Sequence, residues 1–364
     1  TIDELEADPH AALARLRAAE PVAWVDVLGA WLVTSRELAL QAMRDAETFT
    51  VDDPRFSTAQ VVGQSMLTRD GAEHARHRDP FARPFRLDAV RAGFGAVVVE
   101  ETDRLIDAFA DGRAELRREL AGPLAVAVVA HALGLERTDK VLGWYDVIVA
   151  SVSGVAAGKP VTAAGAAAFA ELSASLGPVL EDAPGLTRDE IVSNAAVIMF
   201  GGIETTEGMI ANAIWHLLAH REQLALVEAD RSLLRNAVEE SLRLEPAAAV
   251  IDRYATRDTV LGGVTIPRGE QVTLSIAAAN RDPAFFPAPD RFDVRRQNAK
   301  LHLAFAQGPH VCIGMHLARL EAYAAVGRLL DRLPGLRLDG ETAPRGLVFR
   351  KPPELHVTWD QVSP

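Results

Sequence analysis

The chain has 364 residues, 49% hydrophobic and 24% charged, with 38 Lys and Arg against 50 Asp and Glu, a net charge of −12. These are globular proportions, so disordered and fibrous classes are excluded, and the acidic balance argues against nucleic acid as the main partner. Cys312 is the single cysteine, which excludes an intrachain disulfide and any multi-cysteine zinc or iron–sulfur site.

Residues 1–20 mix acids, arginines and alanines, without the basic start and apolar block of an export signal. Apolar periodicity then predicts helices over 2–19, 35–44, 72–83, 88–111, 122–133, 139–153, 163–182, 187–219, 231–244 and 314–331. Ser35, Asp88, Thr187 and Asp230 are their expected caps. Strands are expected at 22–27, 30–34, 250–254, 264–266, 271–274, 347–349 and 355–358. Residues 50–70 and 281–311 read as long loops, which in compact proteins usually carry function. The longest apolar runs, 120–130, 163–170 and 195–203, fall short of the roughly 20 residues of a membrane-spanning helix. No repeat or linker divides the chain, so a single mainly α domain with a minor β region is expected over 1–364. A cytoplasmic monomer, with no membrane contact, completes that expectation.

Two short motifs fail. Gly154–Lys159 resembles a phosphate loop, but it is one residue short and carries Pro160 where Ser or Thr must bind magnesium. His74 and His77 lack a third metal ligand at a suitable spacing.

The informative segment is Phe305-Ala306-Gln307-Gly308-Pro309-His310-Val311-Cys312-Ile313-Gly314, just before a predicted helix. A lone cysteine is most often a small buried hydrophobe. Here the helix N-terminus favours a thiolate, Gly308 permits a tight turn, and Gly314 lets the backbone approach a flat ligand. A thiolate can serve as axial ligand to heme iron. Heme propionates need cations or strong donors. His74 and Arg78 share a helix face, Arg253 sits in a short strand, and His310 lies beside the cysteine; these are the candidate partners.

In these segments the sequence resembles a bacterial, soluble cytochrome P450. The segment Phe305 to Gly314 matches that family's heme-thiolate loop. Glu240-Ser241-Leu242-Arg243 matches its Glu-x-x-Arg motif, and Pro289-Asp290-Arg291-Phe292 resembles the segment that gives that glutamate a second arginine. Gly201-Gly202-Ile203-Glu204-Thr205-Thr206 matches its oxygen-activation motif. Order and spacing agree over roughly residues 60–364. Two positions depart from the common pattern: Ala306 replaces a frequent glycine and is expected to tighten the loop, and Gly201 replaces a frequent alanine and is expected to open space over the iron.

The resemblance implies a helical prism with small antiparallel sheets. It also implies heme b with Cys312 as the iron ligand, and Phe305, Gly314, His74, Arg78, Arg253 and His310 around it. Glu240, Arg243 and Arg291 would form one buried acid–base network, since an unpaired charge there is costly. Thr205 can turn its hydroxyl back to a carbonyl one turn earlier, and with Gly201-Gly202 this permits a local helix distortion. Splitting O2 takes two protons, for which Thr205 and Glu204 are the catalytic candidates.

Monooxygenation of a C–H bond is the expected reaction, with O2 as oxidant. Electrons would pass from NAD(P)H through a ferredoxin reductase and a ferredoxin, docking on Arg76, Arg83, Arg86, Arg295, Arg296 and Lys300. Substrate contacts are expected in 50–70, 154–165 and 197–205, and at Gly201, Ala249, Val250, Ile251 and Phe349. The small apolar run Ala247–Ile251 favours a mostly apolar small molecule, such as a secondary metabolite, terpenoid or steroid-like compound. Oxidative coupling, desaturation or peroxide-driven oxidation is the alternative heme-thiolate chemistry. A non-enzymatic heme sensor is the third reading, opposed by the complete Glu204–Thr205 motif.

Overall fold

A reciprocal cap starts the helix Arg188–Ala219. The Thr187 side chain accepts from the Glu190 N–H, and Glu190 accepts from the Thr187 N–H at 2.8 Å. Ala195, Met199, Ile203, Ile210, Ile214 and Leu217 are all buried on it, so it is apolar nearly all round and runs through the core. The helices Gly122–Ala132 and Met315–Arg332 pack against it. Gly202 permits one of these contacts, because a Cβ there would meet Val129 Cγ2 at 2.6 Å. This computed structural model describes residues 1–110, 112–135, 140, 141, 143–145, 147, 148, 150, 151, 160–176 and 183–360. Within the expected helix 139–153 the described residues are helical, whereas the failed phosphate loop falls largely outside the described residues.

Most predicted helices form with ends within a few residues of expectation. The first does not: Ile2–Ala7 and His10–Ala19 are separate, because Pro9 has no N–H to continue the ladder. A helix Arg221–Ala229 was not expected. It follows His220 with no Gly or Pro to mark a boundary. The 50–70 stretch contains a short helix, Ser57–Val62, and 281–311 holds only single turns.

Five strands form the largest sheet, in the order Val22–Val25, Ala30–Val33, Gln271–Ser275, Val250–Ala255, Phe49–Thr50. Ala30–Val33 runs parallel to Gln271–Ser275, with Leu32 opposite Thr273, so this sheet is mixed rather than antiparallel. Strands that far apart in sequence leave no turn signal to fix their direction. The strand expected at 347–349 reduces to one bridge between Phe349 and Ala248. Beneath the sheet, Val33, Met43, Phe49, Leu274 and Leu303 make a second core cluster, on which the cysteine loop rests.

Glu240 is fully buried on the helix Leu234–Leu244. Arg243 donates to it through Nε at 2.7 Å and Nη2 at 2.9 Å, and Arg296 through Nε at 2.8 Å. Arg243 also donates to the Asn280 and Pro289 carbonyls, and Arg296 to those of Pro287 and Ala288. The second arginine of the network is therefore Arg296, not Arg291. Arg291 turns its carbonyl inward to accept from both arginines, which leaves its side chain exposed.

Removing one partner of a buried ion pair strands the other, at about 3–5 kcal/mol. Arg296→Met is expected to lower unfolding stability by that amount in urea titration. Arg291→Ala is expected to stay within about 0.5 kcal/mol of the wild type. The reverse ranking would restore Arg291 to the network.

Candidate active site

Cys312 lies between a tight turn and the first residues of the helix Met315–Arg332. Its backbone N–H donates to the Phe305 carbonyl at 2.8 Å, which closes the loop on itself. Gly308 has φ +77°, and a Cβ there would meet the Met43 carbonyl at 2.5 Å, so only glycine lets the loop dock on the helix Arg36–Arg44. Ala306 has φ +56°. Rather than simply tightening the loop, the alanine holds a left-handed conformation at a cost of about 1–2 kcal/mol. A Cβ on Gly314 would face the Cys312 sulfur at 4.0 Å. Cys312 as a residue is half-buried. Burial still pushes its pKa up, while the Gly314 N–H and the charges of Arg78 and Arg319 pull it down.

One cluster gathers the expected propionate partners. His74 and His310 lie with ring centroids 4.3 Å apart. His310 Nε2 donates to Asp70 Oδ1 at 2.7 Å, so this ring nitrogen is held by a carboxylate of the protein itself. Asp70 also accepts from Thr50 Oγ1 at 2.6 Å and the Val51 N–H at 2.9 Å. Burial alone would raise its pKa, but His310, Thr50 and Val51 bring it down to about 2. Arg78 donates to the Val311 carbonyl at 2.6 Å, next to the cysteine. Arg253 is buried, with the charges of Asp70 and Asp252 countering its desolvation. His74 Nε2 is buried without a hydrogen-bond partner among the described residues. Burial, then the His310 and Arg78 charges, lowers the His74 pKa to about 4.

On the long helix, Thr205 donates its hydroxyl proton to the Gly201 carbonyl at 2.5 Å. The helix stays continuous through this turn, so the expected distortion is limited to that side-chain bond. Among the described residues, a Cβ on Gly201 would meet nothing within 4 Å. Glu204 is largely buried and carries two partners that the sequence did not reveal. Lys351 Nζ binds it at 2.8 Å, and the Tyr145 hydroxyl donates to it. The same lysine binds Glu207 at 2.9 Å, and Glu207 also accepts from Arg117.

Among the expected substrate residues, Phe349 packs edge-on against Phe200, with centroids 5.6 Å apart. Val250 and Ile251 are half-buried in the adjoining strand, and Ile251 packs onto the cluster beneath the sheet. Ala249 is turned away, packed with Leu13, Leu32, Ala277 and Ala278. Residues 154–159 lie outside the described residues.

The expected docking face loses two members. Arg76 is paired with Glu73 and Glu190, and Arg296 is buried on Glu240. Arg83, Arg86, Arg295 and Lys300 are exposed.

The cytochrome P450 family model matches residues 170–334. The chain is also 36% identical to the cytochrome P450 monooxygenase PikC of Streptomyces venezuelae, over 97% of this chain and 90% of that one. The chain belongs to the cytochrome P450 family. It is 32% identical to the 6-deoxyerythronolide B hydroxylase of Saccharopolyspora erythraea, with 99% of each chain covered. A solved P450BioI, in complex with a hexadec-9Z-enoic acid-ligated acyl carrier protein, superposes with a TM-score of 0.89 at 30% identity, over 98% of this chain and 100% of that chain. The protein is thus a heme monooxygenase, an oxidoreductase that incorporates oxygen from O2.

This P450's residues fit heme on their own chemistry. The orphaned His74 nitrogen, Arg78 and Arg253 supply donors for anionic groups, and the only thiol lies across the same loop. Among the described residues, no group of three His, Cys, Asp or Glu suits another metal, and no helix is long and apolar enough to cross a membrane.

Sequence reasoning missed Asp70, Tyr145, Lys351 and Arg296. Asp70 and Lys351 lie far from their partners in sequence, so no local spacing reveals them. Arg296 is five residues past the arginine chosen, inside a segment with no periodicity to orient either side chain.

Proposed function

We propose that Cys312 holds the heme iron of this monooxygenase, and that Thr205 and Glu204 manage protons while a mostly apolar substrate is hydroxylated. The observation that carries this is the Thr205 hydroxyl. Its proton is committed to Gly201, so its oxygen is left to accept. When bound, heme with a thiolate ligand supplies cleavage of the O–O bond. Thr205 Oγ1 then accepts a hydrogen bond from a protonated oxygen or water in the space beside Gly201, and keeps that proton oriented. Glu204 passes protons inward, resupplied through the two proton-bearing groups that touch it, Lys351 and Tyr145. His74, Arg78 and Arg253 bind the propionates. His310, tied to Asp70, closes the same cluster, and Phe305 and Gly314 flank the ligand.

Phe349, Phe200 and Val250 offer an apolar wall without a charged anchor, which suits a natural product, terpenoid or steroid-like compound. The whole chain acts as one domain, a cytoplasmic monomer. Arg83, Arg86, Arg295 and Lys300 receive an acidic ferredoxin carrying electrons from NAD(P)H through its reductase.

Turnover under 18O2 tests this reading. One labelled atom is expected in the product and the other in water. A product without added oxygen would favour coupling or desaturation. Equal rates with hydrogen peroxide and no NAD(P)H would favour peroxide-driven oxidation.

A further inference from the structure

Next to Glu240 stands a second buried glutamate. Consecutive helix residues point about 100° apart. Glu240 thus serves the 281–300 segment, while Glu239 faces the cysteine loop. All of its acceptor capacity is used. Oε1 accepts from Arg319 Nε at 2.6 Å and the Tyr323 hydroxyl at 2.7 Å. Oε2 accepts from Arg319 Nη2 at 2.9 Å and His302 Nε2 at 3.1 Å. His302 Nδ1 accepts the Ala304 N–H at 3.1 Å, so its proton sits on Nε2 and the ring is a neutral donor. Glu239 therefore balances one full charge, that of Arg319.

Both arms of this cluster reach the loop. The His302 ring lies 5.7 Å from that of Phe305, and Arg319 Cζ lies 4.4 Å from the Phe305 centroid, within cation–π range. The Phe305 carbonyl holds the Cys312 N–H. Arg319 thus stands over the residue whose carbonyl holds the cysteine loop closed.

We propose that Glu239 is a positioning residue for the thiolate ligand: by bracing the Arg319 guanidinium over Phe305, it fixes a positive charge beside Cys312 and so sets the reduction potential of the bound heme. This rests on the heme-thiolate reading above. A positive charge near the iron favours the ferrous state, which carries one charge less. The two ends of the pair must therefore act with opposite sign.

Dye-coupled redox titration of the heme-loaded protein reads this directly. Arg319→Gln is expected to lower the ferrous-to-ferric ratio at fixed potential by about tenfold, a shift of ~59 mV for one electron. Glu239→Gln leaves Arg319 uncompensated and is expected to raise the ratio by a similar factor. The double variant is expected to return towards the wild type. Shifts of both single variants in the same direction, or no shift in either, would overturn the proposal and leave Glu239 as a brace alone. Should Glu239→Gln fail to fold, Arg319→Lys against Arg319→Gln decides: the lysine keeps the charge, so equal potentials in the two would overturn it. The carbon monoxide spectrum of the wild type is recorded first. Without a thiolate band the heme-thiolate reading itself falls; with it, only the role of Glu239 is at issue.

Discussion

Cys312→Ser is expected to reduce oxygenation to the level of free heme while the loop itself stays folded. The loop does not depend on the sulfur. Its turn is fixed by the Cys312 N–H on the Phe305 carbonyl, by Gly308 against the Met43 carbonyl, and by Arg78 on the Val311 carbonyl. Serine keeps the backbone donor and nearly the same volume. What it loses is a soft anionic ligand, because an alkoxide is far harder to form than a thiolate. Product labelling under 18O2 and circular dichroism separate the two effects. Native activity in a folded Cys312→Ser protein would remove the cysteine from the iron.

Thr205→Ala is expected to keep heme content and substrate binding but to send most reducing equivalents to hydrogen peroxide. Product per NAD(P)H should fall by about tenfold or more, the low side of what a positioned proton-handling group contributes. Among the described residues the side chain bonds only the Gly201 carbonyl of its own helix, so its removal leaves the packing nearly intact. Thr205→Ser preserves the hydroxyl and should recover much of the coupling. Peroxide yield and product yield, measured together per NAD(P)H consumed, check this. Fully coupled turnover in Thr205→Ala would remove Thr205 from proton delivery.

Much of the site was legible because it is built from compact local motifs. The run Phe305 to Gly314 places turn, donor, thiol and helix start within ten residues, and Gly201 to Thr205 lies within little more than one helical turn. Periodicity also located the long helix, whose Thr187–Glu190 cap is itself a sequence signature. Side-chain partners from distant segments were not legible. Glu204 read as a proton-relay acid, but its partner Lys351, nearly 150 residues on, could not be foreseen. Arg291 and Arg296 are chemically equivalent in sequence. Only the path of an irregular segment decides which of them turns inward. The parallel pairing of Ala30–Val33 with Gln271–Ser275 was hidden for the same reason. Ala306 was misjudged because its backbone angle, not its volume, decides its effect.

The central claim is that Cys312 holds heme iron as a thiolate. The absorption difference spectrum of the dithionite-reduced protein with and without carbon monoxide tests it most directly. A Soret band at the red-shifted position that gives the family its name is the predicted result. A band only at the ordinary heme position, from freshly prepared and folded protein, would contradict it.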